Sequence, residues 1–135
     1  KALTIRTKLN NKRGIAASLH NIGVVYEEMG EFDKALDNYE ESLKIKNELG
    51  NMHEIAATLN NIGIVYLDKK QYDKAIDYLF QALEIFKESE DLFSFANTSN
   101  SIADIYLEMN QPEVDRRLLR QQRGLLLWQS RALQP

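Results

Sequence analysis

The sequence contains no cysteine and only two prolines among its 135 residues. Without cysteine it has neither a disulfide framework nor a thiolate metal site, and this pattern fits a reducing compartment. An intracellular, cytoplasmic location is therefore predicted. No apolar run approaches the roughly 18–20 residues that cross a bilayer, and no signal-peptide pattern is present, so no membrane association is predicted.

Motifs that bind cofactors or carry catalysis are also missing. His20 and His53 are the only histidines, and neither has the neighbours that a nucleophile–base pair requires. His53–Glu54 begins like the zinc-binding pattern HExxH, but Ala57 occupies the place of the second histidine. No glycine-rich phosphate-binding loop occurs. The chain is predicted to be no enzyme and to need no cofactor.

Positive charge is scarce in most of the chain. Residues 1–115 carry 12 basic and 20 acidic residues, a net charge of −8, whereas residues 116–135 carry five arginines and no acid. A nucleic-acid-binding surface needs a basic patch, which the first 115 residues lack. Nucleic acid is therefore not a predicted partner.

A unit of forty residues is present instead. Residues 52–91 align with residues 12–51 in a fixed register, and residues 92–111 repeat the first half of the unit. The identical pairs include Ile15/Ile55, Leu19/Leu59, Ile22/Ile62, Gly23/Gly63, Tyr26/Tyr66 and Ala35/Ala75. An internal period of this size indicates a repeat array. Residues 1–11 align with residues 41–51, so they are interpreted as the end of a truncated preceding repeat in a longer protein.

Apolar residues recur within each unit at three- and four-residue spacing, which predicts two helices per unit. Helices are expected near 12–29, 32–48, 52–69, 72–88 and 92–109, with a shorter one at 1–9. A glycine inside a helix costs about 1 kcal/mol relative to alanine. Gly63 recurs in both full units, so it is expected where two helices approach closely, together with Ala35 and Ala75.

These residues resemble the tetratricopeptide repeat. The Leu–Gly–Tyr pattern of its first helix is carried by Leu59, Gly63 and Tyr66, and its small second-helix positions by Ala75 and Ala82. The forty-residue period resembles the kinesin light chain and Leu-Gly-Asn adaptor subset, and some bacterial regulators and sensors. The resemblance implies an all-α fold, a right-handed superhelical solenoid of antiparallel helix pairs.

The segment from residue 112 to 135 departs from the repeat. It is rich in arginine and leucine, and Asp115 and Gln122 stand where the unit has alanine. Three interpretations remain open: a capping helix, which solenoids need at their ends, a non-native extension from a junction or frame change, or a basic partner-binding segment.

In tetratricopeptide arrays the first helices line a concave groove, so the resemblance implies that a half-polar stripe on these helices binds a ligand. We call these residues the groove stripe: His20, Asn21, Val24, Asn60, Asn61, Ile64, Leu67, Asp68, Asn97, Asn100 and Asp104. Asparagine offers both a donor and an acceptor to a peptide backbone. The alternative for Asn21 and Asn61 is a hydrogen bond to the backbone of a neighbouring helix, and for His20, Asn60 and Asn100 it is simple solvation.

The predicted function is a protein-interaction module that holds a peptide or partner helix, within a larger scaffold or regulatory protein. Acidic residues flank the stripe, so a neutral or basic ligand is expected rather than an acidic C-terminal tail. The alternative is a structural solenoid segment that self-associates or packs intramolecularly. Self-association through the ends is expected to bury Leu3, Ile5 or residues 125–128.

Overall fold

The computed structural model describes residues 2–109, with side chains from residue 4 onward. This part of the chain forms five α-helices: α1 (Ala2–Glu28), α2 (Phe32–Leu49), α3 (Met52–Asp68), α4 (Tyr72–Glu88) and α5 (Leu92–Glu108). No strand occurs between residues 2 and 109. The predicted all-α solenoid is confirmed, and α2 to α5 lie within one residue of their expected bounds.

The sequence-based boundaries were wrong at the N-terminus. Two helices were expected at 1–9 and 12–29, but α1 runs without a break from Ala2 to Glu28. The later boundaries between repeats turn at Gly50 and Glu90, which have positive φ values of 77° and 60°. Asn10 holds the corresponding place. A short segment with little surface to pack against keeps more backbone hydrogen bonds by extending α1 than by turning away.

Turn residues explain where the other helices end. Gly30 and Gly50 adopt φ values of 76° and 77°, and Lys70 and Glu90 adopt 63° and 60°. Only glycine takes this left-handed conformation without a steric cost, so the two glycine turns are the unstrained ones. Each turn reverses the chain and sets consecutive helices antiparallel.

Asn51 and Asp91 are the N-cap residues of α3 and α5. The Asn51 side chain accepts a hydrogen bond from the Glu54 backbone N–H at 3.2 Å, and the Asp91 side chain accepts one from the Ser94 N–H at 3.1 Å. Each bond satisfies one of the free N–H groups at a helix start. The junctions between repeats are thus fixed by local sequence.

Glycine and alanine form the crossing of the two helices in each pair. A Cβ atom added to Gly63 would lie 2.7 Å from Leu79 Cγ, and one added to Gly23 would lie 2.8 Å from Tyr39 Cδ1. Ala35 is fully buried, as is Ala75 at the same place in the next unit. The predicted close approach at Gly63 is therefore confirmed.

The core follows the contacts between successive helices. One cluster joins Ile62 and Val65 of α3 to Ala35, Leu36 and Tyr39 of α2. A larger cluster connects α3, α4 and α5. Because each repeat is buried against the next, the side chains at these contacts also set the spacing of the first helices.

Candidate peptide-binding groove

The groove stripe lies on the three first helices, α1, α3 and α5. Its residues divide by exposure. The half-buried members are His20, Val24, Asn60, Asn61, Ile64 and Leu67, whereas the exposed members are Asn21, Asp68, Asn97, Asn100 and Asp104. The stripe therefore offers exposed amides and carboxylates beside partly covered apolar groups.

His20 and Asn61 belong to a polar cluster that joins α1, α2 and α3. We call it the first junction: His20, Lys46, Thr58 and Asn61. Lys46 Nζ donates to Thr58 Oγ1 at 2.8 Å and lies 3.2 Å from His20 Nδ1, while the Asn61 amide lies 3.2 Å from His20 Nε2. Thr58 in turn donates to the Glu54 carbonyl at 2.9 Å. The cluster ties the first repeat to the second.

Forty residues further along, the second junction is formed by Asn60, Phe86, Thr98 and Ser101. Thr98 Oγ1 donates to Asn60 Oδ1 at 3.0 Å. Phe86 is buried at the place that Lys46 holds in the first junction. The threonine hydrogen bond is thus kept, but a phenyl ring replaces the cation and an amide replaces the imidazole.

These contacts refine the predicted stripe. His20 and Asn60 are not simply solvated, because each bonds to the following repeat: His20 to Asn61, and Asn60 to Thr98. Asn61 makes the expected bond to a neighbouring helix, although its partner is the His20 side chain rather than backbone. Asn21, Asn97 and Asn100 are exposed.

Sequence reasoning missed Lys46. Only 6% of this residue is exposed, although it is a lysine on a second helix. The repeat register contains a signal that was not used: Lys46 aligns with Phe86, so a charged residue stands at a position that is apolar in the next unit. Buried lysines require polar partners, and His20 and Thr58 supply them.

A second hydrogen bond links the two helices of the first repeat near the stripe. Tyr39 donates its hydroxyl to Glu27 Oε1 at 2.8 Å. Burial raises the pKa of Tyr39, and the bond to Glu27 raises it further. Burial also raises the pKa of Glu27, against the opposing effect of the Tyr39 bond, and the charges of Asp68 and Glu28 add to the rise.

Carboxylates dominate the exposed end of the stripe. Glu28, Asp68 and Glu108 occupy the same place in the three first helices, and all are exposed. Lys70 Nζ lies 3.7 Å from Glu108 Oε2, an exposed ion pair that contributes little stability. Among residues 2–109 no cluster of three or more metal-ligating side chains occurs, and no helix in this range is long and apolar enough to cross a membrane.

The antiparallel helix pairs and their repeated junctions define a helical repeat solenoid. Residues 1–48 and 54–121 match the family model for the tetratricopeptide repeat. The chain belongs to this family, whose members are typically protein-interaction modules without enzymatic activity.

Solved structures show the same fold. BtubC (BKLC) from P. vanneervenii is 24% identical, with a TM-score of 0.64 over 70% of this chain and 39% of that one. A putative kinesin light chain with nearly identical TPR-like repeats from Podosopora anserina is 19% identical, with a TM-score of 0.64 over 89% of this chain and 57% of that one. A substituted form of that kinesin light chain is 17% identical, with a TM-score of 0.68 over 88% and 57% of the two chains.

The chain thus spans between 39% and 57% of the length of these proteins. No curated protein matches it. At these identities the likeness concerns the fold.

Proposed function

We propose that the groove stripe binds a peptide or a partner helix, and that the chain is part of a larger scaffold or regulatory protein. The observation that carries this proposal is the pairing of exposed amides with half-buried apolar groups on adjacent first helices. Asn97 and Asn100 are exposed on α5, while Ile64 and Leu67 are half-buried on α3. Amides bond a peptide backbone and apolar groups bury its side chains.

The partner segment is neutral or basic. Asp68, Asp104 and Glu108 are exposed along the stripe and its edge. Two cations near the stripe already have partners: Lys46 bonds to Thr58 within the first junction, and Lys70 pairs with Glu108. Acidic groups therefore dominate the accessible charge, and an acidic C-terminal tail meets like charge.

The intracellular, cytoplasmic location stays a prediction.

Calorimetry with two end-capped peptides of equal length tests this preference. One carries lysines and the other glutamates, with identical uncharged residues between them. We expect the lysine peptide to bind more tightly and its affinity to fall with added salt. Tighter binding of the glutamate peptide would contradict the assignment.

A matched pair of variants locates the site. Asp104→Asn removes one exposed carboxylate from the stripe, whereas Asp37→Asn removes an exposed carboxylate from α2. We expect the first to weaken lysine-peptide binding by roughly 0.2–1 kcal/mol, the usual range for an exposed charge pair. The second should leave binding unchanged, because α2 does not contribute to the stripe. Equal effects from both variants would mean that binding is nonspecific.

A second candidate function is that of a structural solenoid segment that packs against further repeats. On α1, Ile15 and Ile22 are 53% and 45% exposed, whereas their counterparts Ile55 and Ile62 on α3 are 7% and 0% exposed. In α3 this face is covered by α2. The corresponding face of α1 would take a second helix of the same pattern, either from a preceding repeat or from another copy.

This second candidate includes the division into repeats. We propose residues 12–51 and 52–91 as two full repeats, residues 92–111 as the first helix of a third, and residues 1–11 as the end of a preceding repeat. Asn11 aligns with the helix-capping residues Asn51 and Asp91, which supports a repeat boundary there. The segment 112–135 and the side chain of Leu3 lie outside the described residues, so the interpretations that involve them stay predictions.

Sedimentation tests the uncovered face. We expect concentration-dependent self-association at high micromolar concentration, lost on Ile22→Glu and kept on Asn21→Glu, which adds the same charge one residue away. Ile5 is 58% exposed and extends the available apolar surface. A strictly monomeric chain would count against this candidate and would leave the groove proposal untouched.

A further inference from the structure

The two junctions between repeats are equivalent in register but differ in chemistry. In the first junction, His20 of α1 and Lys46 of α2 meet at 3.2 Å, and both lie against Thr58 of α3. In the second, Asn60 and Phe86 occupy the places of the histidine and the lysine. The histidine of the first junction faces a buried lysine, whereas His53, the histidine beside the second junction, lies against the Phe86 ring and 3.1 Å from the Asp91 carboxylate. The two junctions therefore provide a comparison within one chain.

We propose that the first junction is a proton-sensitive joint: when His20 gains a proton, the contact among α1, α2 and α3 weakens, while the second junction is unaffected. The proposal is independent of any ligand in the groove. It concerns how firmly the first repeat is held against the second.

Hydrogen-bond chemistry assigns a neutral imidazole to the joint. A lysine ammonium can only donate, so His20 Nδ1 must accept from Lys46 and the ring proton must reside on Nε2. The Asn61 amide lies 3.2 Å from Nε2. Its oxygen accepts a hydrogen bond from Nε2–H when the amide is oriented with the oxygen toward the ring, and the Nε2–H donor assigns that orientation. Both ring nitrogens of His20 then have a hydrogen-bond partner.

Protonation of His20 at Nδ1 breaks this hydrogen-bond arrangement. Protonated Nδ1 becomes a donor that faces the Lys46 ammonium, so a hydrogen bond is replaced by two like charges at 3.2 Å. Thr58 Oγ1, 3.3 Å from Nδ1, is the remaining acceptor, but a bond to its second lone pair leaves the imidazolium beside the Lys46 ammonium, which bonds the same oxygen. The joint must rearrange to accommodate the added charge.

The charged groups around His20 come from all three helices. On α2, Lys46 repels the protonated ring, and Tyr39 lies edge-on to it with ring centroids 5.3 Å apart. On α1, Glu27 is bonded to Tyr39. On α3, Glu54 attracts the protonated form, but its side chain is exposed and screened by solvent. Repulsion from the buried ammonium therefore outweighs this attraction.

The direction of the pH effect follows. Burial lowers the pKa of His20 below its usual 6.5, the charge of Lys46 lowers it further, and Glu54 opposes both. Because the unfolded chain binds this proton more readily, the stabilising effect is complete above pH 6.5 and is lost as the pH falls below it. The pH window is therefore mildly acidic.

Two variants isolate His20. His20→Asn installs the residue that the second junction uses, and His53→Asn removes the other histidine, whose side chain is 64% exposed. Hydrogen exchange is measured by mass spectrometry at about pH 7.5 and about pH 5.5 and corrected for intrinsic rates. In the unchanged chain, we expect the protection of α1–α3 to fall at the lower pH. The fall should be at most roughly tenfold for each unit by which the His20 pKa is lowered. Protection of the α4–α5 contact should change less.

The two variants should then differ in how much hydrogen-exchange protection they lose at the lower pH. His53→Asn should keep the loss of protection, and His20→Asn should abolish it. An equal loss in His20→Asn would overturn the proposal, as would an equal loss at both junctions in the unchanged chain.

Proton NMR keeps the proposal testable if His20→Asn fails to fold. The two histidines give two sets of ring signals in the unchanged chain. We expect the His20 signals to titrate below pH 6.5, because burial and Lys46 lower its pKa, and to shift together with amide signals of Thr58 and Asn61. Titration of His20 at or above pH 6.5 would refute the proposal.

Discussion

Gly63 and Leu79 fix the crossing of α3 and α4, because the Leu79 side chain occupies the space that a Cβ atom on Gly63 would need. The distance from such an atom to Leu79 Cγ would be 2.7 Å, and to the Ala75 carbonyl oxygen 3.3 Å. Leu79 is fully buried, so it has no free space to move into. We therefore expect Gly63→Ala to destabilise the chain by about 1–3 kcal/mol through overpacking, measured by chemical denaturation.

Gly14 supplies the control for this prediction. It also lies within a helix, but a Cβ atom there would meet nothing within 4 Å. Gly14→Ala should stabilise the chain by roughly 0.5–1 kcal/mol, since alanine is the better helix former. Two substitutions of the same kind are thus expected to have opposite signs. If Gly63→Ala also stabilises, the crossing is not close-packed.

Ser99 is a second site where a single buried atom determines how a substitution changes the stability of the chain. Its hydroxyl is buried and has no hydrogen-bond partner among residues 2–109. The residue stands where Leu19 and Leu59 occur in the other units. An unsatisfied buried hydroxyl costs about 1–3 kcal/mol. Ser99→Ala should therefore raise the midpoint of thermal unfolding.

Ser42 provides the contrast to Ser99. It is equally buried, but its hydroxyl donates to the Ala16 carbonyl oxygen at 2.7 Å. Ser42→Ala leaves that oxygen without its partner and should lower the midpoint. A lower midpoint for Ser99→Ala as well would indicate that its hydroxyl has a partner in solution.

The repeat explains why so much of the fold was predictable. Each position of a unit is seen twice, so Gly23 and Gly63, or Ala35 and Ala75, mark the helix crossings by agreement between copies. That agreement fixed α2 to α5 within one residue. It failed at α1, because register alone does not say whether residues 1–9 have a surface to pack against.

The candidate site was less predictable, for a different physical reason. Repeat register shows which residues face one direction, but not which of them bond across the junction. His20 and Asn60 share a register position and both bond to a neighbouring repeat, through different partners. The side-chain length of Lys46 brings its ammonium from α2 to Thr58 on α3, and periodicity carries no information on such reach.

Glu27 allows a prediction with a pH dependence. Burial raises its pKa above 4.5, and Asp68 and Glu28 contribute to the rise. The folded chain therefore holds this proton more readily than the unfolded chain, so ionised Glu27 lowers stability as the pH rises through its raised pKa. Glu27→Gln keeps an acceptor for the Tyr39 hydroxyl and removes the charge. We expect it to stabilise the chain at neutral pH by roughly 0.2–1 kcal/mol, the range for a partly screened charge.

The gain from Glu27→Gln should diminish in acid, where both forms are neutral. Glu41→Gln is the matched control, because Glu41 is exposed and is not one of the charges that raise the Glu27 pKa. Denaturation curves at neutral and acidic pH distinguish the two variants. A gain for Glu27→Gln that persists unchanged in acid would show that its charge is not the cause.

The asparagines of the groove stripe should separate binding from stability. Asn61 bonds to His20 within the first junction, whereas Asn100 is exposed on α5. If the stripe binds a peptide backbone, Asn100→Ala should weaken binding by about 0.5–1.5 kcal/mol, the usual net value of one hydrogen bond. It should leave the unfolding midpoint unchanged, because no neighbouring repeat depends on an exposed side chain.

Asn61→Ala should instead lower the unfolding midpoint, since it removes the partner of His20 Nε2. Its effect on peptide binding also includes any change that the weakened first junction causes in the shape of the groove. Calorimetry with the lysine peptide, together with thermal unfolding of both variants, tests the distinction. Asn47→Ala on α2 is the control, because this exposed asparagine is not part of the groove stripe. If Asn100→Ala and Asn47→Ala bind the peptide equally well, the amides of α5 do not hold the ligand, and the groove must bind by its apolar and acidic groups alone.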